Sequence, residues 1–98
     1  EVDLVVAELG SAPADDRLFR ISFDGSISHE RGHVALGAGA EAIAKRLADV
    51  DFSALDLAAA LQTGREAMGL AAGTVVEAAV LDRASTFHRT FRRLEGDA

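Results

Sequence analysis

The chain has 98 residues, which allows at most one domain with a core of its own. Hydrophobic residues make up 49% of the sequence and charged residues 27%, a globular rather than a disordered composition. The net charge of −6 makes nucleic acid a poor partner, and the absence of cysteine excludes disulfides and thiolate metal sites. The lack of cysteine is typical of an intracellular protein, so we expect a cytoplasmic location. No apolar run is long enough to span a membrane and no signal peptide is visible, so we expect no membrane partner.

Three strands are predicted in the first part of the chain. Residues 2–9, VDLVVAEL, are apolar at consecutive positions, which predicts a central strand buried on both faces. A loop follows over residues 10–16, and residues 18–23 then alternate between apolar and polar. Asp24 and Gly25 form the strongest short hairpin motif. We therefore expect residues 27–36 to run back antiparallel to the second strand.

Two helices are predicted next. The first begins at Ala40 and runs for about ten residues, with Ile43, Leu47 and Val50 at helical spacing. The second has Ser53 as its predicted N-cap, with Asp56 completing a capping box and Gly69 ending the helix. Its predicted apolar face carries Leu57, Leu61 and Met68.

The last part of the chain predicts a second antiparallel pair. Residues 74–82, TVVEAAVLD, indicate another buried strand, and residues 86–94 alternate, with Phe87 and Phe91 on one face. The element order is β-β-β-α-α-β-β, two sets of antiparallel hairpins with a helix pair between them. This order predicts the α+β class, in one domain over residues 1–98.

The string His29-Glu30-Arg31-Gly32-His33 matches the H-E-x-x-H signature of zinc peptidases. That chemistry needs both histidines on one helical face, about 5–6 Å apart at Cβ. Here the string follows a predicted tight turn and runs into a strand, on which the two positions lie about 13 Å apart. We therefore predict no zinc site and no other metal site.

Other motifs of catalysis and binding are equally incomplete. Residues 37–42 match the dinucleotide fingerprint G-x-G-x-x-A, but the predicted helix leads to another helix rather than to a parallel strand. No serine lies in a G-x-S-x-G elbow. Arg89 and Arg93 alternate with Arg92 on a terminal strand, which favours a solvated edge over an anion site. We expect no catalytic residue and no cofactor.

The succession of motifs resembles the C-terminal half of a proteasome α subunit of the actinobacterial type. The matching segments are LFRISFDGS (18–26), the G-x-G turn (37–39), the two helices (40–68), VVEAAVLD (75–82) and TFRRL (90–94). The resemblance covers nearly the whole chain. It departs from the family in lacking the N-terminal half and the last helix, and in a short loop at residues 69–73 where relatives often carry a polar insert.

The resemblance implies a non-catalytic role within an αββα sandwich of the Ntn-hydrolase fold. Proteasome β subunits cut with an N-terminal threonine, whereas this chain begins with Glu1, and Thr63, Thr74, Thr86 and Thr90 are all internal. Subunits of the α type form outer rings of identical chains that gate entry, stack on β subunits and dock ring-shaped AAA ATPase activators. Two alternatives stay open: a fragment of a β-type or HslV-like threonine peptidase, and an unrelated stand-alone α+β interaction module.

Overall fold

The computed structural model describes residues 2–84 and 91–94 of the chain. These residues form five β-strands, two α-helices and two short 3-10 helices, and both sheets are antiparallel. The predicted α+β class and the predicted element order are therefore confirmed. The chain divides into two compact units, Glu1–Leu55 and Asp56–Ala98.

The first unit contains a three-stranded sheet with the order β1-β2-β3. Its strands are β1 (Leu4–Glu8), β2 (Arg17–Ile21) and β3 (Ile27–Glu30). The predicted loop between β1 and β2 contains a 3-10 helix, Pro13–Asp15. The Asp16 carboxylate closes this loop by accepting a hydrogen bond of 2.9 Å from the backbone N–H of Gly10.

The β2–β3 connection confirms the hairpin predicted at Asp24 and Gly25. The backbone N–H of Gly25 donates to the Ser22 carbonyl at 2.8 Å, and the N–H of Ser22 donates to the Ser26 carbonyl at 2.9 Å. Gly25 adopts a φ of 88°, which a residue with a side chain rarely adopts. The turn is thus a three-residue connection that ends in a left-handed glycine.

The prediction that the first strand is central and buried is wrong. β1 lies at the edge of the sheet, paired only with β2 among the described strands, and all five of its residues are exposed. The apolar residues on both faces of β1 indicate that other parts of the protein should cover the strand, but the described chain does not cover it. Composition predicts that a strand needs covering, but it does not identify what covers it.

The third strand ends earlier than predicted. β3 stops at Glu30, six residues before the predicted end at Leu36, and Gly32 has a φ of 80°. A left-handed residue cannot continue the extended ladder, so the pairing with β2 stops here. His33 therefore lies outside the strand, contrary to the prediction, whereas His29 lies within it.

Helix α1 covers Ala40–Leu47 and begins at the predicted residue. Leu47 is buried and Ile43 is half-buried, in agreement with the predicted apolar spacing. Val50 lies beyond the end of the helix, where its N–H donates to the Leu47 carbonyl at 3.0 Å in a final turn. The helix is therefore shorter than predicted.

The predicted N-cap of the second helix is wrong by three residues. Ser53 lies within a separate 3-10 helix, Phe52–Ala54, whose own N-cap is Asp51. Helix α2 covers Leu57–Met68, and its N-cap is Asp56, whose carboxylate accepts from the N–H of Ala59 at 2.8 Å. The two aspartates offer stronger acceptors than the serine hydroxyl, so each begins a helical segment of its own.

The C-terminus of α2 is as predicted, but its apolar face is not. Gly69 caps the helix in the left-handed conformation, with its N–H directed at the carbonyls of Arg65 and Glu66. Leu57 and Met68, predicted to be buried, are exposed, and Leu61 is half-buried. Ala67 is the buried residue of this helix.

The second unit also contains a two-stranded sheet of β4 (Ala78–Leu81) and β5 (Phe91–Leu94). The predicted pairing is confirmed, but β4 is shorter than predicted and its residues are half-buried or exposed rather than buried. The part of the predicted last strand over residues 86–90, including Phe87 and Arg89, lies outside the described residues.

Candidate functional site

The most extensive functional candidate is one face of the three-stranded sheet. Alternate residues of a strand share a face, and residues opposite each other in the register share it across strands. Leu4 and Val6 on β1 lie opposite Ile21 and Phe19 on β2, which in turn lie opposite Ile27 and His29 on β3. We call these first five apolar residues the apolar face: Leu4, Val6, Phe19, Ile21 and Ile27.

The apolar face is open to solvent in the described chain. Ile27 is 67% exposed and Leu4 is 53% exposed, while Phe19 and Ile21 are half-buried. Full burial of such a side chain contributes about 1.5–3 kcal/mol, so a face of five leaves a large part of that stabilisation unused. A contiguous exposed apolar face of this kind is typical of a surface at which something else binds.

The opposite face of the sheet is organised by an ion pair. Arg20 projects between Val5 and Ser28 in the register, and its guanidinium lies 3.3 Å from the Asp3 carboxylate. The other oxygen of Asp3 accepts from the N–H of Phe23 at 2.9 Å. Asp3 therefore ties the start of β1 to the β2–β3 turn, an interaction that no sequence motif predicts because its partners are 17 and 20 residues away.

The two histidines of the HERGH string have different aromatic neighbours. The His29 ring lies 5.3 Å from the Phe19 ring across the β2–β3 pair, and the His33 ring lies 6.3 Å from the Phe52 ring. Among the described residues no group of three or more His, Cys, Asp and Glu side chains is arranged to hold a metal ion. The absence of a zinc site remains a prediction, which a titration can test.

The glycines of residues 37–39 form a turn into α1. Gly37 and Gly39 have φ angles of 89° and 78°, and the N–H of Ala40 donates to the Gly37 carbonyl at 3.2 Å. The next regular elements are a 3-10 helix and α2, and every pairing in the described sheets is antiparallel. The parallel β-α-β unit that the dinucleotide fingerprint requires is therefore absent from the described chain.

The arginines near the end of the chain are engaged in ion pairs. Arg92 lies 3.5 Å from Asp82, and Arg93 lies 3.5 Å from Glu77, across the β4–β5 hairpin. Both pairs are largely exposed, so each contributes at most about 1 kcal/mol. Arg89, the third member of the predicted basic group, lies outside the described residues.

A cleft of about 350 Å³ lies beside the second half of α2. It is lined by Gln62, Arg65, Glu66, Leu70 and residues 71–73. Arg65 closes this region by donating to the Thr74 carbonyl at 2.8 Å, while its Nη1 nitrogen is buried without a partner. The lining side chains include one carboxylate, Glu66, and no serine, threonine, cysteine or histidine.

No helix in the described part of the chain is long and apolar enough to cross a membrane. No family model matches the sequence, and no solved structure matches it.

Curated relatives do match, along the whole chain. The sequence is 44% identical to "Proteasome subunit alpha" of Xylanimonas cellulosilytica, over 100% of this chain and 46% of the relative. It is 43% identical to the protein of the same name from Kineococcus radiotolerans, over 98% of this chain and 46% of the relative. The Streptosporangium roseum protein is also 43% identical, over 98% of this chain and 39% of the relative. The chain thus spans less than half the length of these relatives.

The matches cover nearly the whole chain, and they extend to relatives from several actinobacteria. Over its whole length, the chain is similar to proteasome α subunits.

Proposed function

We propose that the complete protein is a non-catalytic α-type subunit of a 20S proteasome core. In this role it forms an outer ring of identical subunits, gates the entry of substrates and docks a ring-shaped AAA ATPase activator. The observation that carries the proposal is the similarity to actinobacterial α subunits over the whole chain. By the same resemblance, the substrates are proteins tagged with a small ubiquitin-like modifier.

The apolar face supports assembly into a larger body. In the proposed Ntn-hydrolase αββα sandwich, both faces of each sheet are covered by another layer, and residues 1–98 contribute part of one such domain. Leu4 and Ile27 are each more than half exposed in the described chain and would be buried there. The exposure of β1 on both faces follows if the covering layers come from the rest of the protein and from neighbouring subunits.

The described threonines support a structural rather than a catalytic role. A proteasome-type nucleophile needs a threonine with a free amine that acts as its own base. Thr63 lies inside α2 and Thr74 follows Gly73, so the nitrogen of each is part of a peptide bond. Neither can supply the required amine.

Co-expression tests the proposal. The full-length protein is produced with and without a β-type partner, and ring assembly and hydrolysis of a fluorogenic peptide are measured. We expect stacked rings and hydrolysis only when the β-type partner is present. Hydrolysis by the α-like chain alone, surviving removal of every partner, would contradict the non-catalytic role.

The two alternatives give different outcomes in the same experiment. A β-type or HslV-like peptidase would hydrolyse the peptide without a partner and would lose activity when its N-terminal threonine is substituted. A stand-alone interaction module would remain a soluble monomer in size-exclusion chromatography with or without the β-type partner. The names of the matched relatives favour the α type over both.

A further inference from the structure

The β2–β3 turn contains the single Asp-Gly pair of the 98-residue sequence, Asp24-Gly25. This dipeptide is the one most prone to aspartate isomerisation, because glycine offers little steric hindrance at the attacking nitrogen. The backbone nitrogen of Gly25 attacks Cγ of Asp24, the new C–N bond closes a five-membered succinimide, and the carboxyl OH leaves with the amide proton as water. Addition of one water at the main-chain carbonyl then opens the ring to isoaspartate, with no net change in composition.

The structure holds both reacting groups in other interactions. Oδ1 of Asp24 accepts from the N–H of Ser26 at 2.9 Å and from its hydroxyl at 2.7 Å. The attacking nitrogen of Gly25 donates its own hydrogen to the Ser22 carbonyl at 2.8 Å. Closure of the succinimide requires that these hydrogen bonds break, and the hairpin must open for that to happen.

The charge state of the carboxyl adds to this protection. The backbone and hydroxyl hydrogen bonds from Ser26 lower the pKa of Asp24, so its carboxyl stays ionised in the folded hairpin. An ionised carboxylate is a poor electrophile and has no OH to lose as water. The same serine thus orients the group and suppresses its reactive form.

We propose that Asp24-Gly25 is a latent isomerisation site, and that the Ser26 hydroxyl keeps it unreactive while the hairpin is closed. Isomerisation inserts one methylene into the backbone between Ser22 and Ser26, whose N–H and carbonyl are paired at 2.9 Å. The modified turn therefore cannot restore its register. Isoaspartate at this position therefore marks copies of the protein in which the hairpin has opened.

The sequence makes this modification easy to follow. It contains no asparagine, and cleavage after Arg20 and Arg31 releases a peptide in which Asp24 is the only aspartate. Full-length protein is incubated at neutral pH and physiological temperature, then digested with trypsin. The isoaspartate fraction of residues 21–31 is measured by liquid chromatography and mass spectrometry, beside a synthetic peptide of the same sequence.

We expect the folded protein to isomerise at least ~10-fold more slowly than the peptide. Ser26→Ala should raise the rate severalfold, and Ser26→Thr, which keeps the hydroxyl, should restore slow isomerisation. Ser28→Ala is the matched control, since Ser28 is an exposed serine of the same hairpin and the same tryptic peptide. In concentrated urea all four proteins should react at the rate of the peptide, which assigns the difference to the folded turn.

Two outcomes overturn the proposal. If the folded protein reacts as fast as the synthetic peptide, the hairpin gives no protection, whatever the variants do. If Ser26→Ala and Ser28→Ala have the same rate in the folded protein, the hydroxyl of Ser26 is not the protecting group. The comparison of the folded protein with the peptide tests the protection by the hairpin even if Ser26→Ala fails to fold.

Discussion

Asp24 is the carboxylate whose titration the hairpin perturbs. The hydrogen bond from the Ser26 N–H is the largest cause of its lowered pKa, and the Ser26 hydroxyl is the second. Both donors favour the ionised form, so the stabilisation that they give is present above the pKa of the unfolded chain and is lost as the pH falls through the folded pKa. The contribution of these two hydrogen bonds to the turn should therefore weaken as the pH falls into the acidic range.

We predict that NMR of protein labelled at the aspartate carboxyl carbon gives Asp24 a pKa below the ordinary aspartate value. Ser26→Ala should raise that pKa part of the way, because the backbone donor remains when the hydroxyl is removed. Ser28→Ala should leave it unchanged. An identical Asp24 titration in the wild type and in Ser26→Ala would contradict the hydrogen-bond assignment.

The histidines of the HERGH string give a second prediction at this scale. His29 lies beside Phe19 and His33 beside Phe52, so each ring is placed by a different aromatic neighbour. We expect no tight zinc binding in isothermal titration calorimetry of the folded protein. One stoichiometric site that His33→Ala abolishes would show that the two histidines converge on a metal after all.

At the scale of elements, the helix start shows why capping is decided by local competition. Asp56 accepts from the Ala59 N–H at 2.8 Å, while Ser53 lies in the preceding 3-10 helix. We predict that Asp56→Ala lowers the free energy of unfolding by about 1 kcal/mol, the usual cost of losing an N-cap. Ser53→Ala, the matched control, should cost less than about 0.5 kcal/mol in the same denaturant titration. A larger loss of stability for Ser53→Ala than for Asp56→Ala would mean that Ser53 is the N-cap after all.

Two glycines provide a second test of element geometry. Gly64 lies inside α2 with nothing within 4 Å of where a Cβ would be, so Gly64→Ala should stabilise the protein by about 1 kcal/mol through helix propensity. At Gly10 a Cβ would meet the Asp15 carbonyl oxygen at 2.6 Å, so Gly10→Ala should destabilise it by about 1–3 kcal/mol. Thermal unfolding of the two variants measures both signs. If Gly10→Ala did not lower the unfolding temperature, the loop at Gly10 would have moved to make room for the Cβ.

Local features of the fold were predictable from the sequence, because their causes are local. The Asp24-Gly25 hairpin and the Gly69 helix end both depend on a residue that accepts a left-handed conformation. The burial of β1 was not predictable from local pattern. Its apolar run indicates that a covering layer is needed, but the residues that supply the layer are not encoded in the run itself. The Asp3 contacts were missed for the same reason, since their partners are distant in sequence.

At the scale of the whole molecule, the apolar face is the feature that links structure to the proposed assembly. Its five side chains come from three strands and share one side of the sheet, yet Leu4 and Ile27 are more than half exposed. A protein whose stability is typically about 5–15 kcal/mol gains little by leaving such a surface in water. The proposed sandwich explains the apolar face, because a second layer of the complete protein would bury it.

A charge placed on the apolar face tests this explanation. Val6 belongs to the apolar face, opposite Phe19, and is 43% exposed in the described chain. If a second layer covers the face in the complete protein, Val6→Lys buries an unpaired charge, which costs several kcal/mol. We expect the full-length Val6→Lys protein to fail to form rings with a β-type partner in size-exclusion chromatography.

Ala14→Lys is the matched control, because it places the same charge on the exposed 3-10 helix Pro13–Asp15 and should assemble like the wild type. Normal ring assembly by Val6→Lys would mean that the face is open to solvent in the complete protein, and the sandwich arrangement would then be wrong for this sheet.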